Sequence, residues 1–213
     1  GPAFCAGIDL RLLAGEPVPG EQPIPGPADP GFEDWIASCQ EGFGWLHEPS
    51  LVSVAAVQGH AIGAGFQLAL ACDLRILTDG AQLCMREPTL GLVPDLMGTK
   101  PLVDLAGLPR ALELCLTGRM MDAAEAERAG LVARIVSAEA LAEQALKTAS
   151  KIASMSQPAV MLIKESVNMA VSCSLDDGLR FERRAFEATF AFEDCSEGMN
   201  AFAEKRKPVF KNR

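Results

Sequence analysis

The chain has 213 residues, of which 49% are hydrophobic and 22% charged, an ordinary composition for one substantial globular core. Its formal net charge of −9 argues against general nucleic-acid binding, and its two histidines argue against a multi-histidine metal site. The seven cysteines are scattered without a Cys-x-x-Cys pair, which favours reduced thiols in a cytoplasmic protein. No apolar run reaches the length of a membrane span, so we expect no membrane association.

The first 50 residues are expected to hold a turn, a long loop and one helix. Residues 1–10 are typical of a strand end and a turn with nothing before them to pair with, so we expect further sequence ahead of them. Residues 14–31 contain six prolines and four glycines, which predicts a long loop. Residues 32–47 have apolar side chains at helical spacing and predict a helix that stops before Pro49.

A glycine-rich turn is the most informative stretch. Residues 51–58 read LVSVAAVQ, which predicts a buried strand, and residues 66–71 predict a short buried helix. Between them lie Gly59, Gly63 and Gly65. A helix start has unpaired amides and a positive dipole end, so this turn could bind a negative oxygen. Glycines that simply allow close packing are an equally good interpretation, and no Gly-Lys-Ser/Thr of a P-loop follows.

The remainder of the chain changes from strands to helices near Thr99. Residues 73–77 and 81–85 predict strands, and the loop 87–98 carries Glu87 and Asp95. Asp122 and Glu125 resemble a capping box. Residues 131–136 predict a strand, and the remaining helices are predicted at 109–116, 122–130, 138–154, 158–171, 175–192 and 196–205. The pattern predicts an α/β core followed by a helical C-terminal region.

Several motifs occur in one colinear order along the whole chain. They are Ala3-Phe4-Cys5-Ala6-Gly7-Ile8-Asp9-Leu10, Gln58-Gly59-His60-Ala61-Ile62-Gly63-Ala64-Gly65, Ala71-Cys72-Asp73-Leu74-Arg75, Leu116-Thr117-Gly118-Arg119, Ala129-Gly130-Leu131-Val132, Lys164-Glu165-Ser166-Val167-Asn168 and Glu197-Gly198-Met199-Asn200-Ala201-Phe202-Ala203-Glu204-Lys205-Arg206. Together they resemble the crotonase (enoyl-CoA hydratase/isomerase) superfamily. The resemblance implies a ββα spiral core over 1–136 and a helical trimerisation region over 137–213. It also implies a homotrimer or a dimer of trimers.

The resemblance further implies an acyl-CoA thioester as ligand, with coenzyme A as part of the substrate and no separate cofactor or metal. Two backbone amides would hold the thioester oxygen, and by position they belong to Ile8 and Ala64. Ala6 and Arg11 would lie along CoA. Phe202 and Lys205 would reach its nucleotide from a neighbouring subunit. Residues 195–213 carry a net charge of +3 against −12 for the rest, and charge alone favours a merely solvated terminus there.

The chain departs from the hydratases of this family at two positions. Gln67 stands where they have a catalytic glutamate, and an amide cannot exchange a proton near neutral pH. Glu87 matches the second glutamate. Asp95 stands where they have glycine, as in the dienoyl-CoA isomerases. Alternatively, Glu87 is a loop residue paired with Arg86 or Lys100, Asp95 a turn former, and Gln67 a core residue satisfied by backbone.

These residues lead to one preferred function and two alternatives. The preferred function is a double-bond shift through an enolate, with Glu87 and Asp95 as an acid/base pair in an apolar pocket and Gln67 as an orienting group. The first alternative is a 2-enoyl-CoA hydratase. The second is a non-catalytic acyl-CoA-binding protein. His60, next to the turn, is interpreted as structural.

Overall fold

The computed structural model describes residues 1–212. The chain divides into two compact units, the first of residues 1–48 and 53–145, and the second of residues 49–52 and those from Leu146 onward. Along the first unit the elements are α1 (Leu10–Leu13), α2 (Phe32–Gly44), β1 (Val54–Val57), β2 (His60–Ile62), α3 (Ala64–Ala71), β3 (Leu74–Thr78), β4 (Gln82–Cys84), α4 (Thr99–Ala106), α5 (Leu108–Thr117), β5 (Met121–Asp122), α6 (Ala123–Arg128) and β6 (Arg134–Val136).

The first unit contains two small sheets, and from β1 to β4 the chain alternates between them. The first sheet has the order β1-β3-β6 and is parallel throughout. The second has the order β2-β4-β5, in which β2 and β4 are parallel and β4 and β5 antiparallel. The elements β1-β2-α3 and β3-β4-α4 form two successive ββα turns, as in a ββα spiral.

The apolar core of the first unit lies around α3. Phe66, Ala69 and Leu70 of this helix are at most 2% exposed and pack in one cluster with buried side chains of the strands and of α4 to α6. Because α3 is apolar on every side apart from Gln67, the helix is enclosed rather than lying on the surface. Its two ends are therefore fixed by the surrounding chain.

Most predicted elements are present, with some differences. The strand predicted from residue 51 begins at Val54, and α3 begins at Ala64 rather than Phe66. The predicted glycine turn contains a strand of its own, β2, because His60–Ile62 pairs with β4. Helix α4 was not predicted as an element, since its eight residues have only a short apolar repeat.

The second unit is helical, as predicted. Helix α7 (Leu141–Ala153) leads into it, and α8 (Gln157–Ala170), α9 (Leu175–Thr189) and α10 (Glu193–Ala203) follow. After α10 the chain turns back along that helix, where Asp194 accepts the backbone N–H of Lys211 at 2.7 Å. Among the described residues, no helix is long and apolar enough to cross a membrane.

Candidate active site

The glycine turn presents the first amides of α3. Gly63 precedes the helix with φ of +52°, a conformation that favours glycine, and donates its N–H to Cys84 O at 2.8 Å. Its carbonyl accepts from the N–H groups of Phe66 and Gln67. The amides of Ala64 and Gly65 therefore lie in the first turn, where a helix offers no internal acceptor. This is a place where a negative oxygen can be bound.

The N-terminal segment packs directly against this turn. Cys5 forms a parallel bridge with Ala61, and the Ile62 N–H donates to Cys5 O at 3.0 Å. A Cβ on Gly65 would lie 2.2 Å from Cys5 O, so only glycine fits. A Cβ on Gly7, whose φ is +93°, would lie 2.8 Å from Ile62 O and 3.8 Å from the Ala64 nitrogen. The fold thus brings the Gly7–Ile8 peptide next to the start of α3.

Glu87 is the buried carboxylate of this region. It begins a single turn of 3₁₀ helix after β4 and is 7% exposed. Its Oε1 lies 3.2 Å from where a Cβ of Gly63 would be, one residue before Ala64. Oε1 accepts the Gln67 amide at 2.8 Å, while Oε2 is buried and has no hydrogen-bond partner within residues 1–212. Burial raises the pKa of the Glu87 carboxyl, and hydrogen bonds from its own backbone N–H and from Gln67 offset part of the rise.

Gln67 connects Glu87 to the loop that follows it. Its Nε2 donates to Glu87, and its Oε1 accepts the N–H of Leu96 at 2.8 Å and of Gly98 at 3.2 Å. A Cβ on Gly98 would lie 2.5 Å from Gln67 Cγ, so this contact requires glycine. Gln67 is therefore satisfied partly by backbone, as one interpretation expected, and it also orients Glu87. The role of Gly98 was not predicted, because a glycine in a loop does not indicate which side chain packs against it.

Asp95 does not share the apolar environment of Glu87. It lies on the exposed side of the same loop, and its backbone carbonyl accepts the Gln40 amide at 2.7 Å. Its negative charge adds to the rise in the pKa of Glu87. The loop buries Gly98 and leaves Asp95 towards solvent, so Asp95 lacks the apolar surroundings of Glu87, and its role as the partner of Glu87 stays a prediction.

The alternative interpretation, in which Glu87 is a loop residue paired with Arg86 or Lys100, is wrong. Arg86 donates to Gly118 O at 3.3 Å, and Lys100 is paired with Asp104 one turn along α4. The hydrogen bond from Gln67 is the contact that fixes the Glu87 carboxylate.

The predicted CoA-binding residues lie on the surface. Ala6 is exposed, and the Arg11 guanidinium is paired with Asp9 at 2.6 Å. Phe202 is 87% exposed near the end of α10, and Lys205 follows with φ of +55°. Their roles towards CoA stay predictions. Within residues 1–212, no group of three or more His, Cys, Asp or Glu side chains is arranged to hold a metal ion.

Comparisons with known proteins agree on one family. The profile of the enoyl-CoA hydratase/isomerase family matches residues 1–213. A protein of Rhizobium meliloti named "Probable enoyl-CoA hydratase" is 49% identical over 213 residues, 99% of this chain and 77% of that protein.

Two crystal structures illustrate the structural similarity. An enoyl-CoA hydratase of Geobacillus kaustophilus has a TM-score of 0.87 at 40% identity, covering 100% of this chain and 78% of that one. A Thermobifida fusca protein assigned as an enoyl-CoA hydratase and crystallised with acetoacetyl-CoA has a TM-score of 0.85 at 48% identity, covering 90% and 75%. These similarities confirm the predicted spiral fold.

Proposed function

Because the chain belongs to the enoyl-CoA hydratase/isomerase family, we propose that it adds water across the double bond of 2-enoyl-CoA thioesters. The observation that carries the proposal is the carboxyl group of Glu87 beside the glycine turn, with a buried Oε2 that has no hydrogen-bond partner within residues 1–212. The names of the relatives support hydration better than the isomerisation that we preferred from the sequence.

The thioester oxygen would accept hydrogen bonds from the backbone N–H groups of Ile8 and Ala64. In support, Gly7 lies against Ala64, and the two glycines that shape this contact, Gly7 and Gly63, both have positive φ. As water adds to the β-carbon, the thioester becomes an enolate and negative charge grows on that oxygen. Donors that are already aimed at such an oxygen contribute about 3–4 kcal/mol each to stabilising the transition state.

Glu87 would carry the proton. In its ionised form it takes a proton from the attacking water, whose oxygen forms a bond to the β-carbon. It then returns the same proton to the α-carbon, where the electron pair of the enolate forms the new C–H bond. The carboxylate is regenerated and one water has been added. Gln67 holds Glu87 Oε1 and thereby leaves Oε2 for the proton.

A double-bond shift is the second candidate, and Gln67 is the observation that favours it. Hydration in this family uses two glutamates, whereas the buried carboxylate beside this glycine turn is Glu87 and its partner is an amide. One carboxylate is sufficient to remove a proton from carbon and return it further along an enolate. Asp95 would contribute here only through its charge, because its side chain is exposed.

The test compares two substrates and two variants. Purified protein is given a short 2-enoyl-CoA and a 3,5-dienoyl-CoA, and loss of the conjugated thioester and formation of products are followed. We expect hydration of the enoyl ester, and a reduction of roughly 10²–10⁴-fold in Glu87→Gln. Glu41→Gln, an exposed change on α2, should keep full activity.

Three outcomes would contradict the proposal. Turnover of the dienoyl ester alone would favour the isomerase. Binding of both esters without turnover would favour the non-catalytic acyl-CoA-binding protein. Full activity of Glu87→Gln would remove Glu87 from the mechanism.

A further inference from the structure

A buried arginine lies at the end of α3 opposite the glycine turn. Arg75 belongs to β3 and is 8% exposed. Its Nε donates to Leu131 O at 2.6 Å, and its Nη1 donates to Ala69 O at 3.2 Å and to Cys72 O. A guanidinium keeps its charge in a protein even though burial lowers the pKa of Arg75. A cation has thus been placed where it donates to main-chain carbonyls.

Two of these carbonyls, those of Ala69 and Cys72, are at the carboxyl end of α3, where a helix leaves its C=O groups unpaired. The last four C=O groups of a helix have no N–H donor within the helix, and the dipole is negative at that end. Ala69 lies in the last turn of α3, and Cys72 is its C-cap. The Arg75 guanidinium therefore satisfies the carboxyl end of α3 and balances its dipole.

Arg75 also joins this end of the helix to the rest of the unit. Its main-chain O accepts the Ala133 N–H at 2.9 Å, so both its side chain and its backbone bind the segment 131–133 that leads into β6. Helix α3 has eight residues, too few to form a stable helix alone, so its position depends on such contacts. At a rise of 1.5 Å per residue the helix is about 12 Å long and moves as one rigid piece.

We propose that Arg75 is a positioning residue for the thioester-oxygen site: by clamping the carboxyl end of α3 it fixes where the Ala64 amide at the other end points. This role rests on the proposed function. A displacement of about 1 Å at a reacting centre can cost roughly 100-fold in rate, so loss of a remote clamp has a measurable effect.

Two ligands separate positioning from simple loss of structure. The enolate oxygen of acetoacetyl-CoA would accept the Ala64 amide, whereas free CoA has no such oxygen. In Arg75→Met, which keeps the apolar stem, we expect the affinity for acetoacetyl-CoA to fall about ten-fold while that for CoA stays within two-fold. The kcat for a 2-enoyl-CoA should fall at least ten-fold with KM changed less than three-fold. Arg134→Met, an exposed change on β6, is the matched control and should alter neither ligand.

Each outcome decides the proposal. Equal losses for both ligands, or unchanged acetoacetyl-CoA affinity in folded Arg75→Met, would overturn the positioning role. If Arg75→Met does not fold, Arg75→Lys carries the test, because it keeps the charge but not the planar fork; a selective loss supports the role and no selective loss overturns it. If wild type hydrates no enoyl ester and binds both ligands equally, the proposed function itself fails, and Arg75 has no oxygen site to position.

Discussion

At the scale of single residues, the chemistry is concentrated in Glu87 and its contact with Gln67. Glu87 Oε1 accepts a hydrogen bond from the Gln67 amide, while the buried Oε2 has no partner within residues 1–212. A native protein seldom leaves a buried carboxylate oxygen unsatisfied, because each such group lowers stability. The folded state tolerates this cost at a place where a reacting proton could be taken up.

The first prediction concerns stability and pH. The raised pKa means that folded Glu87 keeps a proton where the unfolded chain, with a pKa near 4.5, has released it. The stability contribution of this group is therefore complete below about pH 4.5 and falls as the pH rises through the raised pKa. Glu87→Gln should be more stable than wild type at about pH 8 and equal to it near pH 4.

Urea unfolding at both pH values measures this difference, with Glu41→Gln as the exposed control. A variant that gains nothing at the higher pH would show that burial does not penalise the ionised carboxylate of Glu87.

The second prediction concerns Gln67. Gln67→Ala leaves the N–H groups of Leu96 and Gly98 without their acceptor, so the free energy of unfolding should fall by about 2–4 kcal/mol. Gln67→Glu keeps the acceptor and should cost less. It also brings a second carboxyl group against Glu87, which should move the acidic limb of the kcat/KM profile to higher pH.

Chemical denaturation and pH–rate profiles check both variants of Gln67. The control is Gln22→Ala in the exposed loop, which should change the free energy of unfolding by no more than about 0.5 kcal/mol. If Gln67→Ala were as stable as wild type, the hydrogen bonds that Gln67 accepts from Leu96 and Gly98 would not stabilise the fold.

At the scale of elements, the glycines of the turn are required by close backbone approach. The third prediction follows at Gly65, where a Cβ would lie 2.2 Å from Cys5 O. Backbone must move to admit it, so Gly65→Ala should lower stability by about 3 kcal/mol or more. Gly42→Ala in α2, where a Cβ would meet nothing within 4 Å among the described residues, should instead raise it by about 0.5–1 kcal/mol.

Thermal or urea unfolding separates the two alanine variants, since the same added methyl group should have opposite effects. If both variants unfold like wild type, the packing of residues 1–8 against α3 is looser than the structure indicates.

The sequence predicts elements well where the signal is local. Asp122 was expected to cap α6 and does so, accepting the Glu125 N–H at 2.7 Å, but the Glu125 carboxylate binds Arg119 rather than closing a capping box. Strand β2 was missed because its pairing with β4 is non-local. The bond between Gln67 and Glu87 joins residues twenty apart, and no spacing rule indicates it. The exposure of Asp95 likewise depends on how its loop folds.

At the scale of the whole molecule, the second unit has an apolar surface that suggests assembly. A groove between α8 and α9 has a volume of about 540 Å³, and Ile163 and Phe186 in it are 62% and 66% exposed. Large exposed apolar patches usually mark interfaces. The fourth prediction is that native mass spectrometry gives three or six times the 22.6 kDa of one chain.

Phe186→Glu should weaken this assembly, while Arg184→Glu, two residues away and so on another face of α9, should not. A monomer at micromolar concentration in wild type would contradict the trimer that the resemblance implies.

Both proposed reactions require Glu87 to move a proton to and from a thioester enolate. Exchange of the α-protons of a saturated acyl-CoA, butyryl-CoA, in D₂O tests this directly, because it needs an enolate and a base but neither hydration nor isomerisation. Followed by proton NMR, wild type should catalyse the exchange, and Glu87→Gln should lose roughly 10²–10⁴-fold while still binding the ester. Bound ester that does not exchange in wild type, or exchange at an equal rate in Glu87→Gln, would contradict this role of Glu87.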